Sequence, residues 1–225
     1  MKIGIGVTTY KRPEHLEVWR QQIDILRPPD SVIYTAYDAP ERKGIAYRKN
    51  ECLRTLKDCD YIFLFDDDCF PIKNGWAEFF IESSKITKQQ HYLYLKETPT
   101  IKKIKWDYDY SILGEYNNCS GCFMFLTKEA IEKVGAYNPA YGYYGFEHAG
   151  YSNRIHAAGL TPRGKYTCPA GAGDYIYAMD FDYHLPFNKQ VKHDPSLKDE
   201  LHLLESYLKK NKEIYDNDTK IYQPL

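Results

Sequence analysis

The chain contains no apolar run long enough to span a bilayer. Its N-terminus, MKIGIGVTTYKRP, turns polar too soon for a secretory signal and reads instead as a first core strand. The expectation is a cytoplasmic protein without a transmembrane segment. A surplus of positive charge is missing too. Thirty Lys and Arg face 31 Asp and Glu, for a net charge of -1, whereas a protein that grips a nucleic-acid backbone carries a basic excess. Nucleic acid is therefore disfavoured as a partner, and KKIK at 102–105 is the only local feature in its support. Zinc-finger spacing is also absent. Of the six cysteines (Cys52, Cys59, Cys69, Cys119, Cys122 and Cys168), Cys119 and Cys122 form a single C-x-x-C with no second pair or spaced histidines. A 225-residue chain needs no disulfide staples, so ordinary buried thiols are expected. Internal repeats and low-complexity tracts are lacking.

What remains is a sizeable α/β composition, 43% hydrophobic and 27% charged, with 22 tyrosines. Tyrosine offers a flat apolar face and a hydroxyl, suited to sugar rings but equally to half-buried packing positions. Residues 2–8 alternate and are β-branched, as a strand should be. Pro13 suits the first turn of a helix, and Leu16, Trp19, Ile23 and Leu26 share one helical face before Pro28 and Pro29. Residues 31–37 predict a second strand. Residues 44–57 predict a helix with Ile45, Cys52, Leu53 and Leu56 inward. YIFLF at 61–65 has the continuous apolar character of a strand buried on both faces. Strand, helix, strand, helix, strand predicts a parallel, doubly wound sheet with ligands beyond the strands' carboxyl ends.

Further on, helices are predicted at 75–86, 128–134 and 147–158, strands at 91–96 and 119–126, and a loop or hairpin at 100–110. The loops at 137–146 and 169–175 carry glycine and aromatic residues suited to a lid that excludes water. A last helix begins at Ser196, with Leu197, Leu201, Leu204 and Leu208 on one face and Asp199 placed for a capping box. The final ten residues read as frayed.

Asp66, Asp67 and Asp68 follow the buried strand directly. Three adjacent carboxylates repel one another and are costly to bury without a cation. Alternate residues of an extended chain point the same way, so Asp66 and Asp68 share a side while Asp67 points elsewhere. Mg²⁺ or Mn²⁺ takes one or two carboxylates and completes its shell with phosphate oxygens and water, which implies a diphosphate ligand. The bland alternative is a solvated acidic turn.

These segments resemble the GT-A fold glycosyltransferases, particularly the large family-2-like group of inverting enzymes. IGVTTYKRP, KGIAYRKN and FDDDCFP carry the likeness, the last matching the family's Asp-x-Asp motif. SGCFMFLTKEAIEKVGAYNP and GYYGFEHAGYSNRIHAAG match later elements in the right order, over roughly residues 3–160. The resemblance implies a Rossmann-like, mostly parallel central sheet flanked by helices. Residues 1–190 would form that domain, with a short C-terminal helix and tail at 191–225 packed on it. It also implies a nucleoside-diphosphate sugar donor, UDP-linked for preference, and an acceptor hydroxyl on a glycan, lipid, protein or other molecule. Thr8, Thr9 and Arg12 would contact the nucleotide, and Asp38 the base. Lys43 and Arg48 would lie near base or phosphates, although a solvated helix face is the alternative for both. Asp66 would hold the ribose or metal, Asp68 the metal, and Asp67 would belong to the same donor-binding set. A late histidine, His193 or His184, would complete the Mn²⁺ or Mg²⁺ site.

An inverting transfer needs a group to take the acceptor's proton. Glu147, opening a helix after Gly145–Phe146, is the favoured base. The family's second acid is replaced here by His148, which leaves two other readings open: His148 as base, or Glu147 only orienting the acceptor. Arg154 would pair with a carboxylate, approach the acceptor, or lie on the helix surface. A sugar-phosphate nucleotidyltransferase would need a Gly-rich loop after the first strand, and VTTYKRP has no glycine. A non-catalytic binding relic would have lost its acidic triplet, which is intact. A transferase acting on modified nucleic acid is the remaining variant.

Overall fold

The computed structural model describes residues 1–107, 113–184, 201–218 and 220–225. Its centre is a five-stranded sheet of β1 (Ile3–Thr9), β2 (Val32–Tyr37), β3 (Tyr61–Asp66), β5 (His91–Leu93) and β8 (Phe123–Thr127), in the order β2-β1-β3-β8-β5. β1 runs parallel to both β2 and β3. β8 pairs antiparallel with β3 and with β5, so it alone opposes the others. The expected doubly wound parallel sheet thus holds for the first three strands and is interrupted by β8. A small second sheet is built from β6 (Lys103–Asp107), β7 (Leu113–Tyr116) and β9 (Thr167–Pro169), with β6 and β7 antiparallel. β4 (Cys69–Pro71) pairs with β10 (Ile176–Ala178).

Residues 62–65 of β3 are buried throughout, as their unbroken apolar run requires. Phe63 and Phe65 meet Trp76 edge-on at 4.7 and 5.6 Å between ring centres. Trp76 opens α3 (Trp76–Thr87), and α1 (Pro13–Leu26) buries Leu16, Trp19 and Ile23. α2 (Ile45–Leu56) buries Cys52, Leu53 and Leu56 as expected; Ile45 is only half-buried. α4 (Lys128–Val134) and α5 (Glu147–Ala157) follow β8. All six cysteines are buried and unpaired.

The C-terminal segment departs from expectation. α6 spans Leu201–Asn217; the proposed start at Ser196 with Leu197 and Asp199 lies outside the described residues. Its inward side chains include Asn211, Ile214 and Tyr215, while Leu208 is 41% exposed. The helix packs on a tyrosine-rich loop, where Asn211, Ile214 and Tyr215 join the half-buried Leu204 and the partly exposed Leu208, which abuts Gly145. The end is not frayed. Gln223 bridges back to residues 134–136, donating to the Val134 carbonyl at 3.1 Å and accepting from Ala136 N–H at 3.0 Å. Among the described residues, no helix is long and apolar enough to cross a membrane.

His91 provides a measurable signature of the core. It is 1% exposed, and its Nδ1–H donates to the Phe125 carbonyl at 2.8 Å while Nε2 accepts from Ser152 Oγ at 2.8 Å. Burial pulls its pKa down to about 4, despite the carbonyl bond. The folded state therefore favours the neutral ring. Stability should be full above about pH 6.5 and fall as pH drops towards 4, by about 3 kcal/mol in total. Urea melts between pH 7 and 4 should show this slope, and His91→Asn should flatten it.

Candidate active site

The carboxyl ends of β1, β2 and β3 open onto a cleft of ≈ 580 Å³, room enough for a nucleotide-sized ligand. Thr8 on β1 lies in register with Asp66 on β3, and its hydroxyl donates to Asp66 Oδ1 at 2.9 Å. Asp66 and Asp68 line the cleft. Asp67 lies beneath it, fully buried, accepting from Thr9 Oγ1 at 2.6 Å and paired with Arg12. Arg12 also donates to Asp68 Oδ2 at 2.8 Å. Burial opposes the Arg12 charge, but Asp68 and Asp67 outweigh it and raise its pKa. The alternation predicted for the triplet is the one observed: two carboxylates face the ligand space and one secures the loop below.

Lys49 is a component that sequence reasoning missed. It is fully buried on α2, with Nζ 3.3 Å from Asp66 Oδ1 and donating to the Gly121 carbonyl at 2.7 Å. Burial opposes its charge, yet Asp66 and Glu147 prevail and raise its pKa. A signal was present. Lys49 stands one helical turn after Ile45 and one before Cys52 and Leu53, on the inward stripe.

Asp38 turns towards its own chain. Its carboxylate accepts from the backbone N–H of Lys43 at 2.6 Å and of Gly44 at 3.0 Å, and from Arg48 Nε at 2.9 Å. Arg48 lines the cleft but also donates to Glu51 and to the Glu41 carbonyl. The Lys43 ammonium pairs with Glu41 at 3.2 Å and is not part of the cleft wall. Gly44 has φ +94°, and a Cβ there would lie 2.2 Å from the Gly142 carbonyl oxygen. Only glycine permits this approach between the start of α2 and the 139–147 loop.

That loop delivers Tyr143, Tyr144, Glu147 and His148 to the opposite wall. Glu147 is 5% exposed, and its Oε1 lies 2.9 Å from His148 Nδ1. Oε2 is buried without a hydrogen-bond partner among the described residues. Burial alone would raise the Glu147 pKa. The charge and hydrogen bond of His148, with the charge of Lys49, instead hold it at about 2. Burial likewise opposes the His148 charge, but Glu147 and then Cys119 drive its pKa well above the usual histidine value. The pair is a carboxylate and an imidazolium. Arg154 is off the surface, outside the cleft wall and, among the described residues, on no carboxylate, unlike the sequence options. It is 3% exposed and donates to the Val134 and Ala136 carbonyls, bracing the chain before the loop.

Asp180 is a second residue the sequence did not single out. It lies in a short 3-10 turn after β10 and is exposed towards the cleft. Partial desolvation by the cleft walls, then the charges of Asp68 and Asp66, push its pKa up to about 7. Asp66, Asp68 and Asp180 thus face one another in the cleft, and their mutual repulsion is of the kind a divalent cation relieves. No preformed group of three or more metal ligands exists among the described residues. A hard ion held by the cleft carboxylates would thus need phosphate oxygens and water to complete its shell. His184 is exposed, outside the cleft wall, its backbone N–H bonded to Asp182 Oδ1 at 2.9 Å. His193 lies outside the described residues.

No family model matches the chain. A curated protein of Acanthamoeba polyphaga mimivirus, named an uncharacterized glycosyltransferase, is 26% identical over 200 residues, 72% of this chain and 76% of that protein. Among solved structures, the mannosyltransferase PcManGT from Pyrobaculum calidifontis, in complex with GDP-Man and Mn²⁺, superposes with a TM-score of 0.56 at 13% identity. The match covers 75% of this chain but only 55% of that one. A Drosophila β1,4-galactosyltransferase 7 mutant in complex with manganese, UDP-Gal and xylobiose gives a TM-score of 0.51 at 17% identity, covering 84% of this chain and 77% of that one. TarS of S. aureus gives 0.58 at 11% identity, over 79% of this chain and 36% of that one. The fold is therefore the GT-A fold of these glycosyltransferase structures, and the sequence is similar to that of a protein named a glycosyltransferase.

Proposed function

We propose that the protein transfers a sugar from a nucleoside-diphosphate sugar, with UDP-sugars the first donors to test, to an acceptor hydroxyl with inversion. The observation that carries this is the pairing, across one cleft, of Asp66 and Asp68 with Glu147 Oε2, a buried carboxylate oxygen without a donor. A buried acceptor atom left unpaired is costly, and a substrate hydroxyl would satisfy it. His148 fixes Oε1 and leaves Oε2 to receive the proton as the acceptor oxygen attacks the anomeric carbon. Glu147 is a weak base at rest. Its proton affinity suffices because the acceptor hydroxyl becomes strongly acidic as its bond to the sugar forms. Asp68, with Asp66 or Asp180, would hold Mn²⁺ or Mg²⁺, which supplies charge neutralisation for the departing diphosphate. Asp66, fixed by Thr8 and Lys49, keeps an outer edge for a ribose hydroxyl, and Arg12 steadies Asp68. Glycans, lipids and proteins all present suitable acceptor hydroxyls.

The test is a panel of UDP-glucose, UDP-galactose, UDP-N-acetylglucosamine and GDP-mannose, each with Mn²⁺ and with EDTA. At a donor concentration 100-fold above Kd the gain is about 2.7 kcal/mol, an upward shift of roughly 5–10 °C in Tm. EDTA should abolish it. Absence of any metal-dependent shift or hydrolysis across the panel would sink the proposal.

A further inference from the structure

We infer that Asn211, on α6, is a positioning residue for the acceptor side of the cleft, an assignment that rests on the transferase reading above. Asn211 is 1% exposed. Its Nδ2 amide donates to three backbone carbonyls of one loop: Tyr141 at 2.7 Å, Tyr144 at 2.7 Å and Gly145 at 3.0 Å. A single NH₂ group has two hydrogens, so one is shared. These carbonyls belong to the stretch that presents Tyr143, Tyr144, Glu147 and His148 to the cleft.

The loop needs such a restraint. It ends on Phe146 at φ +67°, a left-handed conformation for a non-glycine residue directly before Glu147. Its other flank presses on the start of α2, where Ile45 N–H reaches the Tyr143 carbonyl at 3.4 Å. Three carbonyls turned inwards here would be unsatisfied without an internal donor. α6 adds ring contacts at the same place, Phe146 to Tyr215 at 5.3 Å and Tyr143 to Tyr207 at 5.6 Å between centres. The rings supply area, while the amide alone fixes where the Gly145 carbonyl sits, two residues ahead of the Glu147 carboxylate. A shift of about 1 Å in a reacting group costs on the order of 100-fold in rate. The donor carboxylates lie at the end of β3 (Asp66) and in the turn after it (Asp68), and their hydrogen bonds go to Thr8 and Arg12 rather than to this loop, so donor binding should be spared.

The experiment compares the full-length protein with Asn211→Leu and Leu208→Ala. The second loses a side chain on the same helix that abuts Gly145 but donates no hydrogen bond. The probe reaction is Mn²⁺-dependent hydrolysis of UDP-galactose and GDP-mannose, in which water replaces the acceptor. Asn211→Leu should lower kcat about 100-fold with donor KM within about twofold of wild type. Leu208→Ala should lower Tm yet keep kcat within about threefold. Equal losses of kcat in the two variants, or a parallel collapse of donor KM, would reduce Asn211 to a structural role and overturn the inference. Hydrogen exchange over 139–148 supplies the arm that does not need turnover. It should speed up at least tenfold in Asn211→Leu, and unchanged protection would also overturn the inference. If wild type hydrolyses no donor while exchange responds, the transferase reading fails and the restraint on the loop stands.

Discussion

Glu147→Gln should cut sugar transfer about 1,000-fold while leaving metal-dependent donor binding within about twofold. The substitution keeps the shape of a side chain that is 5% exposed and removes only its charge and proton affinity. Donor binding is spared because Asp66 keeps its contacts to Thr8 and Lys49, and Asp68 its contact to Arg12, when the Glu147 charge is removed. The pH profile separates the two members of the pair. With Glu147 held at about 2, it remains ionised throughout the working range, and wild-type activity should show no acid limb from it above about pH 4. His148 supplies the leading charge that depresses it. In His148→Asn, burial then dominates and raises the Glu147 pKa, so an acid limb should move upwards into the measurable range. Rates below that limb fall because the base is protonated. Normal turnover in Glu147→Gln, with a dead His148→Asn, would instead assign the base to His148.

The features that could be read beforehand are those written in local pattern. The unbroken apolar run at 61–65 marks a strand covered on both faces, and Pro13 marks the first turn of α1. The expectation that Asp66 and Asp68 share a side while Asp67 points elsewhere matches the cleft, although β3 ends at Asp66 and a turn carries the other two. The direction of β8 was not legible, because FMFLT is an apolar run that reads the same either way and only its partners decide. Lys49 and Asn211 escaped for a related reason. Each is defined by groups far along the chain: Gly121 lies 72 residues from Lys49, and Tyr141 lies 70 from Asn211. A polar residue on an inward helical stripe is the trace such partners leave. Lys49 carried it; on α6 the expected leucine stripe hid it. Asp180 depends on β10 pairing with β4, which carries the turn after it back beside the acidic loop.

Asp68→Asn should weaken metal-dependent donor binding by about 100-fold or more, with little change in fold stability. Asn retains an oxygen able to accept from Arg12 Nη1, so the 2.8 Å contact has a replacement, and Asp67 still pairs with the same guanidinium. What is lost is one of the negative charges facing the ligand space. Asp180 then has one fewer repulsive neighbour, so its pKa should fall from about 7. Asp67→Asn is the contrasting case. Asp67 has no exposed surface and no place in the cleft wall; its carboxylate answers Arg12 and Thr9. Removing that charge takes one of two carboxylates from the largely buried Arg12, which keeps Asp68, and disturbs the buried acceptor of Thr9, a loss of about 1–3 kcal/mol. Asp67→Asn should therefore lower stability, with metal affinity reduced far less than in Asp68→Asn. Calorimetric Mn²⁺ and donor titrations beside urea melts would read both quantities. Equal loss of metal binding in the two variants would show that the triplet acts as one undivided charge cluster. Loss in Asp67→Asn alone would reverse the division of labour between the acid under the cleft and the acid in it.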